Sequence, residues 1–288
     1  MKKIGFVTFS GSPEISLDDT ILAEALETHQ IKGMPAPWDD PAVDWTDFDL
    51  LLIRSCWNYH LNPEKFQSWI DTIIASGVKM ANPAELILWN LNKYYLKELK
   101  DKGVAMPDSV WISEQNFYAD KLHDILAEKK WNRAVLKPCI SAGSFRTTII
   151  TPLTAREEGE ALSQNFIKGG MILQEFMDTI QKSGELSIIF FSSEFSHAII
   201  KQAMRGEFRV QHQFGGKSKP IVVKKEIVKS AQRIVEKLPV VPLYARVDGF
   251  ECDGEFRLME LELIELVLFF KNLPDAAKKF VSHLVKLL

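Results

Sequence analysis

Short apolar runs that stop at polar residues alternate with amphipathic stretches over the first hundred positions, a rhythm that predicts strands and helices in turn. Ile4 to Phe9 ends in Ser10-Gly11-Ser12 and reads as a buried strand, a loop and then a helix from about Ser16 to Thr28. Asp49 to Ser55 repeats the pattern with an unbroken Leu-Leu-Leu-Ile centre. Asn62-Pro63-Glu64 reads as a helix start, with Asn62 at the N-cap and Pro63 at the first helical position, and opens a helix to about Ser76. Val78-Lys79-Met80 is a further short strand, and a helix from Pro83 to Lys102 closes at Gly103. Strands that alternate with helices pack as a parallel sheet covered on both faces, so residues 1–105 are expected to form a doubly wound α/β domain.

Past Val104-Ala105-Met106-Pro107, which reads as a linker, the grammar changes. Strands are expected at Ala134 to Pro138, Thr147 to Thr151, Met171 to Met177, Leu186 to Gln202, Phe208 to Gln211, Tyr244 to Phe250 and Phe256 to Ile264. Consecutive strands joined by short turns are antiparallel, which makes residues 106–288 an α+β domain with antiparallel sheets.

In doubly wound sheets ligands sit beyond the carboxyl ends of the strands, where Ser10 to Ser12 and Arg54 to Tyr59 fall. The aromatic run Cys56-Trp57-Asn58-Tyr59-His60 reads as a substrate edge or as a packed loop, and Arg54 beside it favours the former. The sharpest chemistry lies near the C-terminus, in Met259-Glu260-Leu261-Glu262-Leu263-Ile264-Glu265. Alternation puts Glu260 and Glu262 on one face of a strand, with Met259, Leu261 and Leu263 on the other. Two carboxylates about 7 Å apart repel unless a cation sits between them, and Mg²⁺, which prefers oxygen ligands and arrives with phosphates, answers that need. Asp248 joins them only through a bulge or a three-residue loop, because a two-residue turn at Asp253-Gly254 would pair it with Met259. A solvated amphipathic strand alternates in the same way.

Other segments add to the picture. Lys137 ends the run Val135-Leu136-Lys137-Pro138 before the small residues Ser141-Ala142-Gly143-Ser144, a phosphate-binding combination or else a snorkelling surface lysine. Lys93 falls inside the predicted helix and reads locally as a solvated helix-face charge. Gln174-Glu175-Phe176 reads as core or as a hinge that meets a planar base, and Glu185 after Gly184 offers a carboxylate to a ribose hydroxyl. Arg209, followed by Gly215-Gly216, suits an anionic transition state beside a mobile loop, or else an exposed hairpin.

The 288 residues suit about two domains, and a hydrophobic fraction of 46% with 25% charged residues is that of an ordinary globular protein. A net charge of -3, with basic residues scattered among acidic ones, argues against a nucleic-acid partner. No apolar run reaches the ~18 residues of a bilayer span, so no membrane partner is expected. Three dispersed cysteines, Cys56, Cys139 and Cys252, without a CxxC pair suit reduced thiols and a cytoplasmic location.

Taken in order, Lys93, Leu136-Lys137-Pro138, Gln174-Glu175-Phe176, Gly184-Glu185, Arg209-Val210-Gln211 to Gly215-Gly216, Asp248, Glu260 and Glu262 resemble the ATP-grasp superfamily. The likeness is to glutathione-synthetase-like ligases and to the glutamate ligases that modify a ribosomal protein. Arg54 to Tyr59 and Met259 to Glu265 with Leu268-Phe269 are similar to the subgroup that contains the cycloserine-forming cyclo-ligase. The resemblance implies an ATP-dependent carboxylate-amine or cyclising ligase that works through an acyl phosphate and yields ADP and phosphate, with a phosphotransferase or a non-catalytic nucleotide binder as alternatives. It implies ATP and two Mg²⁺ ions, with Mn²⁺ able to substitute, a small-molecule carboxylate and amine as partners, and a homodimer. By the same likeness residues 1–105 face the substrate, Lys93 and Lys137 contact phosphates, and Glu175 and Phe176 form the adenine hinge. Glu185 binds ribose, Lys201 lies near the nucleotide, Asp248, Glu260 and Glu262 hold metal, and Arg209, with Lys137, acts in catalysis. Loops at Ser141 to Arg146 and Gln211 to Lys217 are candidate lids, and Leu266 stands where the family commonly has proline.

Overall fold

In the computed structural model, which describes residues 1–288, the first apolar run forms β1 (Lys2–Thr8). The next element is α1 (Leu17–Glu27), whose start is set by Ser16 Oγ accepting the Asp19 N–H. Two more strands, β2 (Ile31–Pro37) and β3 (Leu50–Ile53), complete a parallel sheet ordered β2-β1-β3. The proline-containing strand β2 was not expected. It is tolerated because it lies at the sheet edge, where missing N–H donors cost little. Asn62 caps α2 (Pro63–Ser76) by accepting the Lys65 N–H, and Gly77 in the left-handed region ends it. Of the strand expected at Val78 to Met80, a single parallel bridge from Met80 to Leu51 forms.

The one long helix expected at Pro83 to Lys102 is two helices, α3 (Ala84–Leu91) and α4 (Tyr94–Asp101). The break has a tertiary cause: the Lys93 N–H donates to the Cys139 carbonyl at 2.8 Å, and Asn92 donates to Gly169 O while accepting the Tyr94 N–H. Both helices pack on sheet residues far along the chain, with Leu86, Leu96 and Leu99 in one core with Ile188, Phe190 and Val247.

A four-stranded antiparallel sheet, ordered β4-β7-β5-β6, follows. Along the chain it comprises β4 (Ser109–Ile112), α5 (Lys121–Lys129), β5 (Ala134–Pro138), β6 (Thr148–Ile150), α6 (Ala155–Gln164) and β7 (Met171–Glu175). Leu136 and Leu173 face the two helices, so Val135 and Lys137, at alternate positions, face the other way.

After α7 (Asp178–Ser183) comes a hairpin of β8 (Glu185–Phe191) and β9 (Glu194–Gln202), not the single strand expected, because Ser192 and Ser193 turn the chain with φ of 46° and 67°. The run Phe208 to Gln211 is loop, and the strand of that region is β10 (Lys217–Pro220). With α8 (Lys225–Val235), β11 (Tyr244–Cys252), β12 (Glu255–Glu262) and α9 (Pro274–Leu284), these strands form a five-stranded antiparallel sheet ordered β10-β9-β8-β11-β12.

One face of this sheet is largely apolar, with Ile188, Phe190, Ala198, Ile200, Ala245 and Val247 in one core. The other is divided: Ile189, Phe191, Ile199 and Tyr244 pack against Phe6, Leu26, Phe270 and Phe280, which docks the parallel sheet and α9. At about 1.5–3 kcal/mol for each large apolar side chain, that contact holds the N-terminal sheet firmly in place. The free edge of β12 is sealed, since Tyr95 Oη and the Asn90 amide bond the backbone of Leu261 and Leu263. No helix is long and apolar enough to cross a membrane.

Candidate active site

Strand alternation builds the floor of the site from the polar half of that divided face. Arg246 and Asp248 on β11 lie opposite Glu262 and Glu260 on β12, Ser187 on β8 lies opposite Asp248, and Glu185 lies opposite Lys201 on β9. The turn at Asp253-Gly254 is the two-residue kind, with φ of 54° and 79°. Asp248 nevertheless meets Glu260, because a bulge shifts the register by one residue between Asp248 and Gly249. Met259 is the extra residue; it lines the cleft instead of the apolar face expected of it, and Leu258 takes the core position.

Gly249 permits the bulge, since a Cβ there would stand 2.2 Å from the Arg257 carbonyl oxygen. Gly249→Ala is expected to cost about 2–3 kcal/mol in urea denaturation, the range of overpacking with backbone displacement. ADP release should fall further than the loss of folded protein explains, because the same bulge sets Asp248 against Glu260. Unchanged stability would show that the bulge relaxes freely.

Every carboxylate of the expected metal trio is drawn to a basic side chain. Asp248, 2% exposed, accepts from Ser187 Oγ at 2.6 Å, Lys201 Nζ at 2.9 Å and Arg246 Nε at 3.0 Å. Burial pushes its carboxyl up, but Arg246 and Lys201 win and hold it well below the usual carboxylate range. Lys201 also reaches Glu185 at 3.1 Å, and Arg246 also holds Glu262. Glu260 pairs with Lys93 at 3.0 Å. The trio therefore shares one cleft, yet no three acidic, histidine or cysteine side chains gather round a single point.

The balance of charge still leaves negative excess. Burial, with Asp248 and Glu260 adding to it, pushes Glu262 up to about 8 against the pull of Arg246. Burial likewise raises Glu265 to about 7.

Lys93 is not the solvated helix-face charge its local sequence suggests. It is 5% exposed at the break between α3 and α4, and its ammonium donates to Ser141 O at 2.8 Å and Ser141 Oγ at 3.1 Å. Lys137, 8% exposed, stands on the opposing sheet with one hydrogen bond, to Gln174 Oε1 at 3.4 Å. Burial lowers its pKa, against the attraction of Glu260. Further along that wall, the N–H groups of Glu175 and Phe176 are spent on Asp108 O and Arg133 O, while the Arg133 guanidinium covers the Phe176 ring at 4.2 Å.

Arg209 lines the cleft, but it is engaged by its own loop. Its Nε and Nη2 donate to Glu207 at 3.0 and 2.8 Å, and its guanidinium lies 3.5 Å from the centre of the Phe214 ring. The two candidate lids meet where Gln213 Nε2 donates to Gly143 O at 2.7 Å.

Trp57, Tyr59 and His60 line the cleft, as a substrate edge would. Arg54 does not. It is 2% exposed and bonds Asp19 at 2.5 Å, with Asp18 at 3.8 Å; Asp18 in turn accepts the Leu268 and Lys271 N–H groups. Arg54 therefore ties β3 to α1 and the segment before α9. Leu266 is fully buried in the core that joins these parts. Sequence reasoning missed Arg246, although Arg246-Val247-Asp248 on a strand places a guanidinium and a carboxylate on one face.

The two antiparallel sheets thus enclose a cleft of about 1020 Å³, with lysines on both walls and acids on its floor. That volume lies at the upper end for small-molecule sites. Comparison with known proteins agrees with this arrangement. Over 98% of both chains, the protein is 26% identical to the cycloserine biosynthesis protein DcsG of Streptomyces lavendulae. Residues 4–82 match the family model of the D-cycloserine synthetase DcsG N-terminal domain. The crystal structure of D-cycloserine synthetase DcsG superposes with a TM-score of 0.88 at 25% identity, covering 99% of this chain and 100% of that one.

The protein is an ATP-dependent ligase with the ATP-grasp fold. Its fold recurs in D-alanine–D-alanine ligase from Bacillus anthracis, with a TM-score of 0.69 at 14% identity over 99% of this chain and 97% of that one. It recurs also in the ATP-grasp ligase PsnB solved with a phosphomimetic precursor variant, Mg and ADP, with a TM-score of 0.68 at 14% identity over 99% and 98%. The likeness to the cycloserine-forming group extends over nearly the whole chain.

Proposed function

We propose that this ligase joins a carboxyl group to an amine on small amino-acid-like substrates, within one molecule or between two, through an acyl phosphate. The observation that carries the reading is Lys137. A buried ammonium with one long amide contact lacks the acceptors its charge demands, and phosphate oxygens are the acceptors that a cleft walled by Lys93, Lys137 and Lys201 would take. In this reading residues 106–288, joined by Lys93 from the break between α3 and α4, form the nucleotide-handling unit, and the rest of residues 1–105 the substrate side.

The donor set also fits a hard divalent cation. Burial raises the Glu262 pKa and the neighbouring Asp248 and Glu260 add to it, so a cation among these three relieves the cost of their charge. Asp248, Glu260 and Glu262 would hold magnesium, two ions in number with manganese as substitute, and the metal would supply charge neutralisation at phosphate oxygens.

The chain's own residues supply the rest. Lys93 and Lys137 orient the phosphates, Glu175 and Phe176 bound the base, and Glu185 and Lys201 stand where a ribose and its phosphates meet. A substrate carboxylate oxygen attacks the γ-phosphorus and the bond to the bridging oxygen breaks, which releases ADP. An amine nitrogen then attacks the acyl carbon, loses a proton and expels phosphate. Water must be excluded between the two steps, and the loops joined by Gln213 and Gly143 lie where a cover is needed. For Arg209 to reach the transferring group it must leave Glu207, a movement of the same loop.

Mg²⁺-ATP should stabilise the folded chain against heat more than either component alone. ADP release is to be measured against a panel of amino-acid pairs, with Glu260→Gln expected to fall at least 100-fold. Undiminished activity in that variant would remove the metal role from Glu260.

A further inference from the structure

Five carboxylates stand on the floor of the cleft, and four have a basic partner. Glu185 has Lys201, Asp248 has Lys201 and Arg246, Glu260 has Lys93, and Glu262 has Arg246. Glu265 lines the same cleft, half-buried; no ion pair reaches its carboxylate, which has only its own backbone N–H as a hydrogen-bond donor. The nearby cations are committed elsewhere, Lys93 to Glu260 and Ser141, and Arg246 to Asp248 and Glu262.

The turn that carries Glu265 is held on every side. Its carbonyl accepts the Trp57 Nε1–H at 3.2 Å, the Val267 carbonyl accepts Arg246 Nη1 at 3.2 Å, and Leu266 and Leu268 are fully buried. A carboxylate fixed in a cavity without a counter-charge is unfavourable until a cation arrives. Trp57 shows what kind suits the place. Its indole is pinned beside Glu265 and remains 39% exposed, which offers a π-face to a positively charged group. The hydroxyl of Tyr59 is spent on Ser141 O, so it does not compete for the ligand.

We propose that Glu265, walled by Trp57, binds the ammonium group of the substrate, so that the substrate is a free amino compound whose protonated amine lies close to the carboxyl group to be activated. The proposal rests on the ligase reading and deepens it, because it assigns substrate class to one side chain outside the nucleotide and metal sets. The competing occupant is a further metal ion, since Glu265 lies three residues beyond Glu262.

The test uses the full chain with Mg²⁺-ATP and hydroxylamine as a general acceptor. Carboxylate probes are D- and L-alanine and D- and L-serine, with their N-acetyl forms and with propionate and 3-hydroxypropionate as deamino forms. At least one free amino acid should be used with kcat/KM at least 30-fold above its deamino and N-acetyl counterparts. Glu265→Gln should raise KM for it at least tenfold with kcat altered less than threefold, and shrink the preference below threefold. Its thermal stabilisation by Mg²⁺-ATP and its Mg²⁺ half-saturation should match the parent. Equal use of the deamino or N-acetyl forms, no turnover of any free amino acid by a chain that Mg²⁺-ATP does stabilise, an unchanged KM in Glu265→Gln, or a shifted Mg²⁺ requirement would each overturn the proposal. Absence of Mg²⁺-ATP stabilisation in the parent chain would instead overturn the ligase reading beneath it.

Discussion

Arg246→Met is expected to lower ADP release at least 100-fold and to cost about 3 kcal/mol of stability at neutral pH, two effects from one guanidinium. Arg246 donates to Asp248 through Nε and Nη2, bridges to Glu262 and bonds the Val267 carbonyl, so it joins β11, β12 and the turn after them. Removing one partner of a buried ion pair leaves an uncompensated charge, which costs more than the pair itself contributes. Asp248 keeps Lys201 and Ser187, which holds the loss toward the lower end of the range, while Glu262 keeps no partner. Arg246→Lys should recover less than half of either effect, because a single ammonium cannot serve two acids and a carbonyl at once.

Acid should expose the same linkage. The Asp248 carboxyl is held well below its unfolded value, so its contribution is present above about pH 4 and is lost as pH falls. The acid limb of the stability profile should therefore flatten in Arg246→Met. Equal urea midpoints and equal ADP release in variant and parent would show that Arg246 does not organise the floor of the site.

Lys137→Met is expected to move stability the other way. The ammonium is buried against one acceptor at 3.4 Å, so its desolvation is poorly returned in the free protein, and a methionine of similar length fills the space without that cost. The midpoint of thermal unfolding should stay level or rise by a few degrees, whereas stabilisation by Mg²⁺-ATP should vanish and ADP release fall at least 100-fold. Burial lowers the lysine pKa, so the penalty is present at neutral pH and relieved as pH rises toward the unfolded value of about 10.4. The gain in Lys137→Met should therefore be largest near neutrality and disappear in strong alkali. A variant less stable than its parent at neutral pH, or one still stabilised by Mg²⁺-ATP, would show that the lysine serves the fold and not a phosphate.

Both variants are placed by structure that the sequence discloses unevenly. Asn62-Pro63 and Ser16 announced their helices because caps act through neighbouring residues, and the structure begins both helices there. The break at Lys93 was invisible, since the groups that interrupt the helix, Cys139 O and Gly169 O, arrive from more than forty residues away. Alternation from Glu260 to Glu262 marked the polar face of β12, yet it put Met259 on the wrong side, because a bulge resets the period without a local signal except Gly249 on the partner strand. Arg54 drew attention as a cation beside aromatic residues, but the two aspartates that absorb it lie on α1, outside any sequence window around it.

By itself the sequence determined that a parallel sheet with helices precedes antiparallel sheets, and that Glu260 and Glu262 share one face of their strand, because periodicity and caps are short-range. Only the tertiary structure decided how the charges of the site are matched: Arg246 set between Asp248 and Glu262, Lys93 turned inward to Glu260, Arg209 folded back on Glu207, and Glu265 left without a basic partner. Electrostatic pairing depends on separations of a few ångströms between strands that are remote in sequence, and those separations exist only once the sheets have closed on each other.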